Sequence, residues 1–403
     1  MRGFLTTKTV LCLAAALTLC VLSDGGAYAA DQPTLLEVAR SPYQWTGVAV
    51  TADGRVFANF PRWSDKVPVS VVEITASGDL KPYPNMEWNR WSRADSPLHK
   101  FICVQSVVVG PAGYLWVLDT GNPEFAGVIP NGAKLAKIDL DKDEVVEVIY
   151  FDENVVFSDS YLNDVRIDPE RFHAYITDSR RGGLLVTYLT TQVTRRVLTE
   201  HPSTQSAGVD VAINGKPWKR ADGSKPEVAS DGIALDREND YVYYQALTSN
   251  TLYRIPGAAL RNPFLGKEDR NAKVEKVADS GVADGILFHQ GYVYLTSLTE
   301  NAVKRVRPGE PAEMVVQSDK LRWPDSLSLG PKGYMFVSTS QIHLAPKVPG
   351  PYMIYKFQPP EPKPMPEKPA PKPEEPEQQQ AEEPAEQKPA EEAETQSDEP
   401  PAE

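Results

Sequence analysis

Six polar residues stand at matching places in six short, similar stretches of this 403-residue chain: Thr46, Gln105, Asn163, Asp231, Asp284 and Asp325. If those stretches converge, the six are ligand-binding candidates and three carboxylates share one confined volume. Unpaired like charges there raise one another's pKa, and a positive guest relieves the cost. Hard oxygen donors favour Ca²⁺ or Mg²⁺ over zinc. An organic amine meets the same electrostatic need. The structural alternative is that Asp-Gly and Asp-Ser act as turn and hydrogen-bonding devices, with Arg166, Arg180 or Arg322 as counterions. Other reactive patterns are missing from the sequence: no Gly-x-Ser-x-Gly elbow, no His-Glu-x-x-His and no phosphate-cradling glycine loop. The histidines are scattered, and only His289 and His343, which follow strands of the last two stretches, are candidates to reach the same volume. Catalytic residues stay unassigned.

The elements that must position these residues are legible as repeats. The stretches read TGVAVTADGRVFA from Thr46, QSVVVGPAGYLWVLD from Gln105 and NDVRIDPERFHAYITDS from Asn163. DGIALDRENDYVYYQ from Asp231, DGILFHQGYVYLTS from Asp284 and DSLSLGPKGYMFVST from Asp325 complete them. Each has a polar residue, a small or acidic one, alternating apolar residues, a turn, then an aromatic-rich strand. Turn pairs such as Asp53-Gly54, Ala112-Gly113, Gln290-Gly291 and Lys332-Gly333 sit where hairpins need them. A hairpin-bearing unit recurring every ~40–70 residues predicts a radial array of small sheets, an all-β, six-bladed β-propeller. In that architecture the residue opening each innermost strand faces one end of the central channel. Closure is expected from Leu35–Val38 pairing with Met353–Phe357. The irregular stretch from His201 to Ser230 reads as the outer part of blade three plus an elaborated connection.

The ends have another composition. Residues 1–29 carry Arg2 and Lys8, an apolar run from Val10 to Leu22 and then Ala27-Tyr28-Ala29, the pattern of a secretory signal peptide. That predicts a secreted protein, periplasmic or extracellular, without stable membrane insertion once the signal is cut. Residues 30–358 form the propeller. Residues 359–403 hold fourteen acids, four lysines and no aromatic residue, the signature of a disordered acidic tail. Removal of the signal leaves Cys103 alone, flanked by Ile102 and Val104 and read as a packed small hydrophobe. The tryptophans read as blade packing, with Trp45 and Trp323, each just upstream of a candidate position, as the exceptions. A net charge of −13 without a basic, aromatic-interleaved run argues against a nucleic-acid partner. A monomer is expected.

With these motifs in view, the chain resembles a bacterial, L-dopachrome tautomerase-related member of the major royal jelly protein/Yellow family. The resemblance rests on FANFPRW at 57–63, QSVVVGPAGYLWVLDTG at 105–121, YLNDVRID at 161–168 with AYITDS at 174–179 and GGLLV at 182–186, and SDGIALD at 230–236 followed by LYRIP at 252–256. It spans roughly Leu35 to Phe357 and implies a propeller whose relatives include pigment-pathway tautomerases, binders of biogenic amines and nutritive or signalling proteins. Two departures stand out. The mature chain has no cysteine pair, and Thr339-Ser340-Gln341 stands where many members have Ser-Asn. More distantly the chain is similar to gluconolactonase/SMP-30-like propellers, which hold one divalent cation at the channel mouth. That resemblance maps ligand positions onto Asn163, Asp231 and Asp284, with Thr46 in place of the first-blade glutamate.

Together these readings predict binding of a small aromatic or cationic molecule at the channel mouth, with Ca²⁺ or Mg²⁺ as the candidate cofactor. The alternatives are an enzyme, either a dopachrome-type tautomerase or a lactone hydrolase, and a protein-interaction module.

Overall fold

Alternating apolar residues separated by two-residue turns give antiparallel hairpins, and hairpins joined in series give four-stranded sheets. The computed structural model describes residues 32–220, 222–345 and 348–364, so the expected signal segment and nearly all of the acidic tail lie outside the described residues. The first compact unit of the chain ends at Pro362. The first unit is a six-bladed propeller whose blades have strands in simple up-and-down order.

Blade one comprises Val48–Val50, Val56–Asn59, Val71–Ile74 and Leu80–Pro82. Blade two comprises Val104–Gly110, Tyr114–Asp119, Lys134–Asp139 and Glu144–Tyr150. The inner strands of blades three to five are Leu162–Asp168, Ser230–Asp236 and Ala283–His289. Blade six opens with Pro324–Leu329 and Met335–Thr339, continues through Tyr352–Phe357 and is completed by Leu36–Ser41 from the start of the chain. Leu36 pairs with Lys356 and Ser41 with Tyr352, which is the expected closure. The inner hairpins of blades two and five turn through residue pairs with positive φ at both positions, Ala112-Gly113 at 64° and 74° and Gln290-Gly291 at 49° and 79°, the geometry that matches strand twist.

The core is divided. Each of the six junctions between neighbouring blades has its own apolar cluster, such as Val48, Val50 and Val72 of blade one against Phe336, Tyr352 and Ile354 of blade six. Wedges of this kind fix how the blades tilt about the channel. A ring of side chain-to-backbone hydrogen bonds crosses the same junctions closer to the axis. Asn59 Nδ2 donates to Val104 O at 2.9 Å, Thr177 Oγ1 to Asp231 O at 2.5 Å, Gln245 Nε2 to Gly281 O at 2.7 Å and Thr296 Oγ1 to Asp325 O at 3.2 Å. Between blades two and three the direction reverses, as Leu162 N donates to Thr120 Oγ1 at 3.2 Å. Ser338 Oγ closes the circle onto Thr46 O. Among the described residues no helix is long and apolar enough to cross a membrane.

The third blade differs from expectation. Its outer strand, Val193–Val197, is complete before His201. Residues 201–229 are therefore all connection and carry a separate two-stranded hairpin, Ala212–Ile213 with Lys216–Pro217. Val211, Ile213 and Trp218 of this connection pack on Leu247, Val282, Leu298 and Trp323, residues that lead into or out of blades four to six. That apolar cover is why a polar stretch that reads as loose in sequence is held down.

Candidate functional site

Because each inner strand begins at the same end of the channel, the residues opening the strands meet there. Gln105, Asn163, Asp231, Asp284 and Asp325 line one cavity of about 10 Å³, together with Ser106, Asp164, Gly285 and Ser326. That volume holds about one water-sized group. Five of the six sequence candidates are thus brought together. Thr46 is not among the lining residues: its hydroxyl donates to Gln105 O at 3.1 Å and accepts from Asn59 Nδ2 at 2.9 Å. It serves the seam between blades one and two, because a short side chain with a donor satisfies the neighbouring carbonyl there.

The residues that follow the ring positions were missed as lining residues in the sequence, although their types carry a signal. Cβ atoms at Gly232 and Gly285 would lie 2.3 Å from Asp284 O and 2.2 Å from Asp325 O. Glycine follows aspartate at these places because the next inner strand passes against its backbone. Where space allows, a polar residue takes that position and reaches the next blade. Ser106 Oγ donates to Asp164 Oδ1 at 2.8 Å.

The three ring aspartates are almost fully buried, and their surroundings decide their charge. Asn163 Nδ2 donates to Asp231 Oδ2 at 2.9 Å, and Trp323 Nε1 donates to Asp284 Oδ2 at 2.6 Å. Burial, followed by the charge of Asp284, drives the Asp231 carboxyl well above the usual range. Asp325 is raised in the same way, first by burial and then by Asp284. Asp284 is raised by burial to about 6, held back by its bonds to Trp323 and Asp231. The ring therefore keeps its protons to higher pH than three separate carboxyls would. Deeper in the channel, Arg166 pairs with Asp164 Oδ1 at 2.8 Å and donates across to Ile286 O of blade five at 2.7 Å. Arg166 is thus the counterion of Asp164, a residue outside the original six.

Another polar chain meets the ring at Gln105. Trp63 Nε1 donates to Tyr161 Oη at 2.5 Å, and Tyr161 Oη donates to Gln105 Oε1 at 2.9 Å. The ring of Phe125, which is 61 % exposed, stacks on Tyr161 and on Trp63 at 4.8 and 5.8 Å. Cys103 lies 3.8 Å from the Tyr161 hydroxyl. Burial pushes its thiol up to about 12, so it packs as a neutral side chain, with Trp91 and Ile102. Trp45 is buried in the wedge between blades six and one. Trp323, by contrast, touches the ring and is stacked by His343 at 5.9 Å and met edge-on by Trp218 at 4.7 Å. His289 faces Tyr294 and does not line the cavity.

A divalent cation needs six to eight oxygens around it. Here the Asn163 amide nitrogen is committed to Asp231, Asp231 and Asp284 are bonded to each other, and Thr46 has turned away. Among the described residues no group of three or more His, Cys, Asp or Glu side chains is placed to hold a metal ion. The donor set as arranged does not fit Ca²⁺ or Mg²⁺. A larger groove of about 830 Å³ lies between blades one and six at the opposite ends of their inner hairpins. Its Arg55 is already paired with Glu73 and Asp143.

Comparison with known proteins agrees with the fold. Among solved structures, the chain is similar to an oxidoreductase (glucose dehydrogenase) of Thermus thermophilus, with a TM-score of 0.50 and 13% identity, covering 81% of this chain and 99% of that one. A gluconolactonase of Xanthomonas campestris matches with a TM-score of 0.50 and 11% identity over 81% of this chain and 90% of that one. At such identities the likeness is one of fold alone. No curated protein matches the sequence significantly. The family model described as "Major royal jelly protein" matches residues 102–348, more than half of the chain. The matched span runs from the start of blade two into blade six, and the chain belongs to the major royal jelly protein family.

Proposed function

We propose that this protein is a secreted small-molecule binder that takes the polar head group of its ligand into the ring of Gln105, Asn163, Asp231, Asp284 and Asp325. One observation carries the reading: five polar side chains from five successive blades surround a single water-sized cavity. Burying three carboxyls together is costly unless each is neutralised or partnered, and a hydrogen-bond-donating head group supplies partners. The cavity admits about one heavy atom of such a guest, so the rest of the ligand must lie outside it. The stacked Trp63, Phe125 and Tyr161 rings, one side chain removed from the cavity, favour an aromatic body. The leader pattern of residues 1–29 supports secretion.

Calorimetric titration with small aromatic amines and alcohols, and separately with CaCl₂ and MgCl₂, tests the reading. Organic guests should bind saturably, and Asp231→Asn and Asp284→Asn should each weaken them about tenfold or more, the worth of a hydrogen bond to a charged group. Binding that is identical in wild type and both variants would place the guest elsewhere. Calcium binding without any organic binding would favour an ion site instead.

A further inference from the structure

The channel ring has a polarity, and its source is the hydrogen-bond chain that ends on Gln105. An indole N–H can only donate. With Trp63 Nε1 donating to Tyr161 Oη at 2.5 Å, the Tyr161 proton is directed onward to Gln105 Oε1 at 2.9 Å. The Gln105 amide oxygen is thereby spent, and its NH₂ group is what remains for the cavity that Gln105 lines. Gln105 is only 8 % exposed, and the protein offers no acceptor to Nε2 among the hydrogen bonds of the described residues. That N–H group is therefore open to a guest that accepts from it.

The other wall has the opposite character. Asn163 has turned its nitrogen to Asp231, and the indole of Trp323 is committed to Asp284, so this wall offers carboxyl oxygens, and each one without a proton is an acceptor. A single-atom guest therefore meets a donor on one side and acceptors on the other. An ammonium has three protons and no lone pair, so Gln105 would point its N–H at a positive centre. A metal ion meets the same clash. A hydroxyl satisfies both walls, taking a hydrogen bond from Gln105 and giving its own proton to Asp231 or Asp284.

We propose that Tyr161 is a positioning residue that sets the Gln105 amide with its nitrogen toward the ring, and that the ring consequently selects a hydroxyl head group over an ammonium. This rests on the reading of the ring as the binding site. The tyrosine is held for the purpose: it is buried, capped by Phe125 at 4.8 Å and bonded to Trp63. The Phe125 cap is itself built on two consecutive left-handed residues, Glu124 and Phe125, with φ of 58° and 55°. Backbone in that region costs energy in a non-glycine residue and is kept where something else gains from it.

The test compares 2-phenylethanol with 2-phenylethylamine, which differ only at the head group, by titration calorimetry on the folded protein. The alcohol should bind about fivefold or more tightly than the amine, the order of one neutral hydrogen bond. Tyr161→Phe keeps the stacked ring and frees the amide to turn, so the alcohol-to-amine ratio should fall toward one or invert. A purely structural role would weaken both probes together and leave the ratio alone, and that result overturns the proposal. Gln105→Leu removes the donor together with the Tyr161 acceptor, while Tyr161 keeps its bond from Trp63, and should collapse the same ratio, which covers the case in which Tyr161→Phe fails to fold. A wild-type preference for the amine sinks the inference while leaving the ring as the binding site. Binding of neither probe removes both.

Discussion

Asp284 shows how burial, before any ligand, decides what a carboxyl can do. It is pushed from 3.8 to about 6, with burial the chief cause. In the unfolded chain the same carboxyl loses its proton near its ordinary value. Between about pH 4 and pH 6 the folded state therefore holds a proton that the unfolded state has released, and stability falls as pH rises through that window. Asp231 and Asp325, raised in the same direction, extend the decline to higher pH. Replacing Asp284 by asparagine removes its share, so the variant's unfolding free energy should be flatter between pH 4 and pH 6 when followed by urea denaturation. An unchanged slope would mean that Asp284 titrates normally in the fold. The same residue bears on ligand binding, since a protonated ring welcomes a neutral donor-acceptor group more readily than a cation.

At the scale of strands and junctions, the restraint on sequence is close approach. Gly285 sits where a Cβ would meet Asp325 O at 2.2 Å, and Thr296 Oγ1 caps that same carbonyl at 3.2 Å. Gly285→Ala should push blades five and six apart and cost about 1–3 kcal/mol. Thr296→Val, which keeps the shape but leaves a buried carbonyl unpaired, should cost about 1–3 kcal/mol as well. A lowered urea midpoint with an unchanged slope is the expected readout, and a neutral result for both would show that this seam does not hold the blades. The same restraint explains what was legible in advance. Alternation, turn pairs and the spacing of six polar openers were enough for blade number, closure and five cavity residues. Thr46 failed because residue type at a strand opening does not say whether a hydroxyl faces the axis or the neighbouring carbonyl. Ser106 and Asp164 were missed because the bond between them runs from one blade to the next, across 58 residues of chain. The packing of Trp218 on Trp323 and the Trp63–Tyr161–Gln105 chain were hidden for the same reason, since they join loops that no local pattern relates.

For the molecule as a whole, the sixth blade borrows its outer strand, Leu36–Ser41, from the other end of the fold. Deleting residues 36–41 should cost several kcal/mol through lost ladder bonds and apolar contact, on the order of 0.5–1.5 kcal/mol per hydrogen bond. It should also bare the edge of Tyr352–Phe357 and promote concentration-dependent self-association, measurable by thermal melting and light scattering. A truncated chain that stays monomeric and melts with wild type would deny the strand its closing role. The arrangement also sets a timetable. The closing strand is among the first parts of the body to be synthesised and its partner the last, about 300 residues later, and contacts of such separation are the slowest to form. Until Tyr352–Phe357 is available the ring stays open at one wedge, with Leu36–Ser41 unpaired. Closure is therefore a late event, and a half-made copy of this protein lacks the complete circle of blades that encloses the polar cavity.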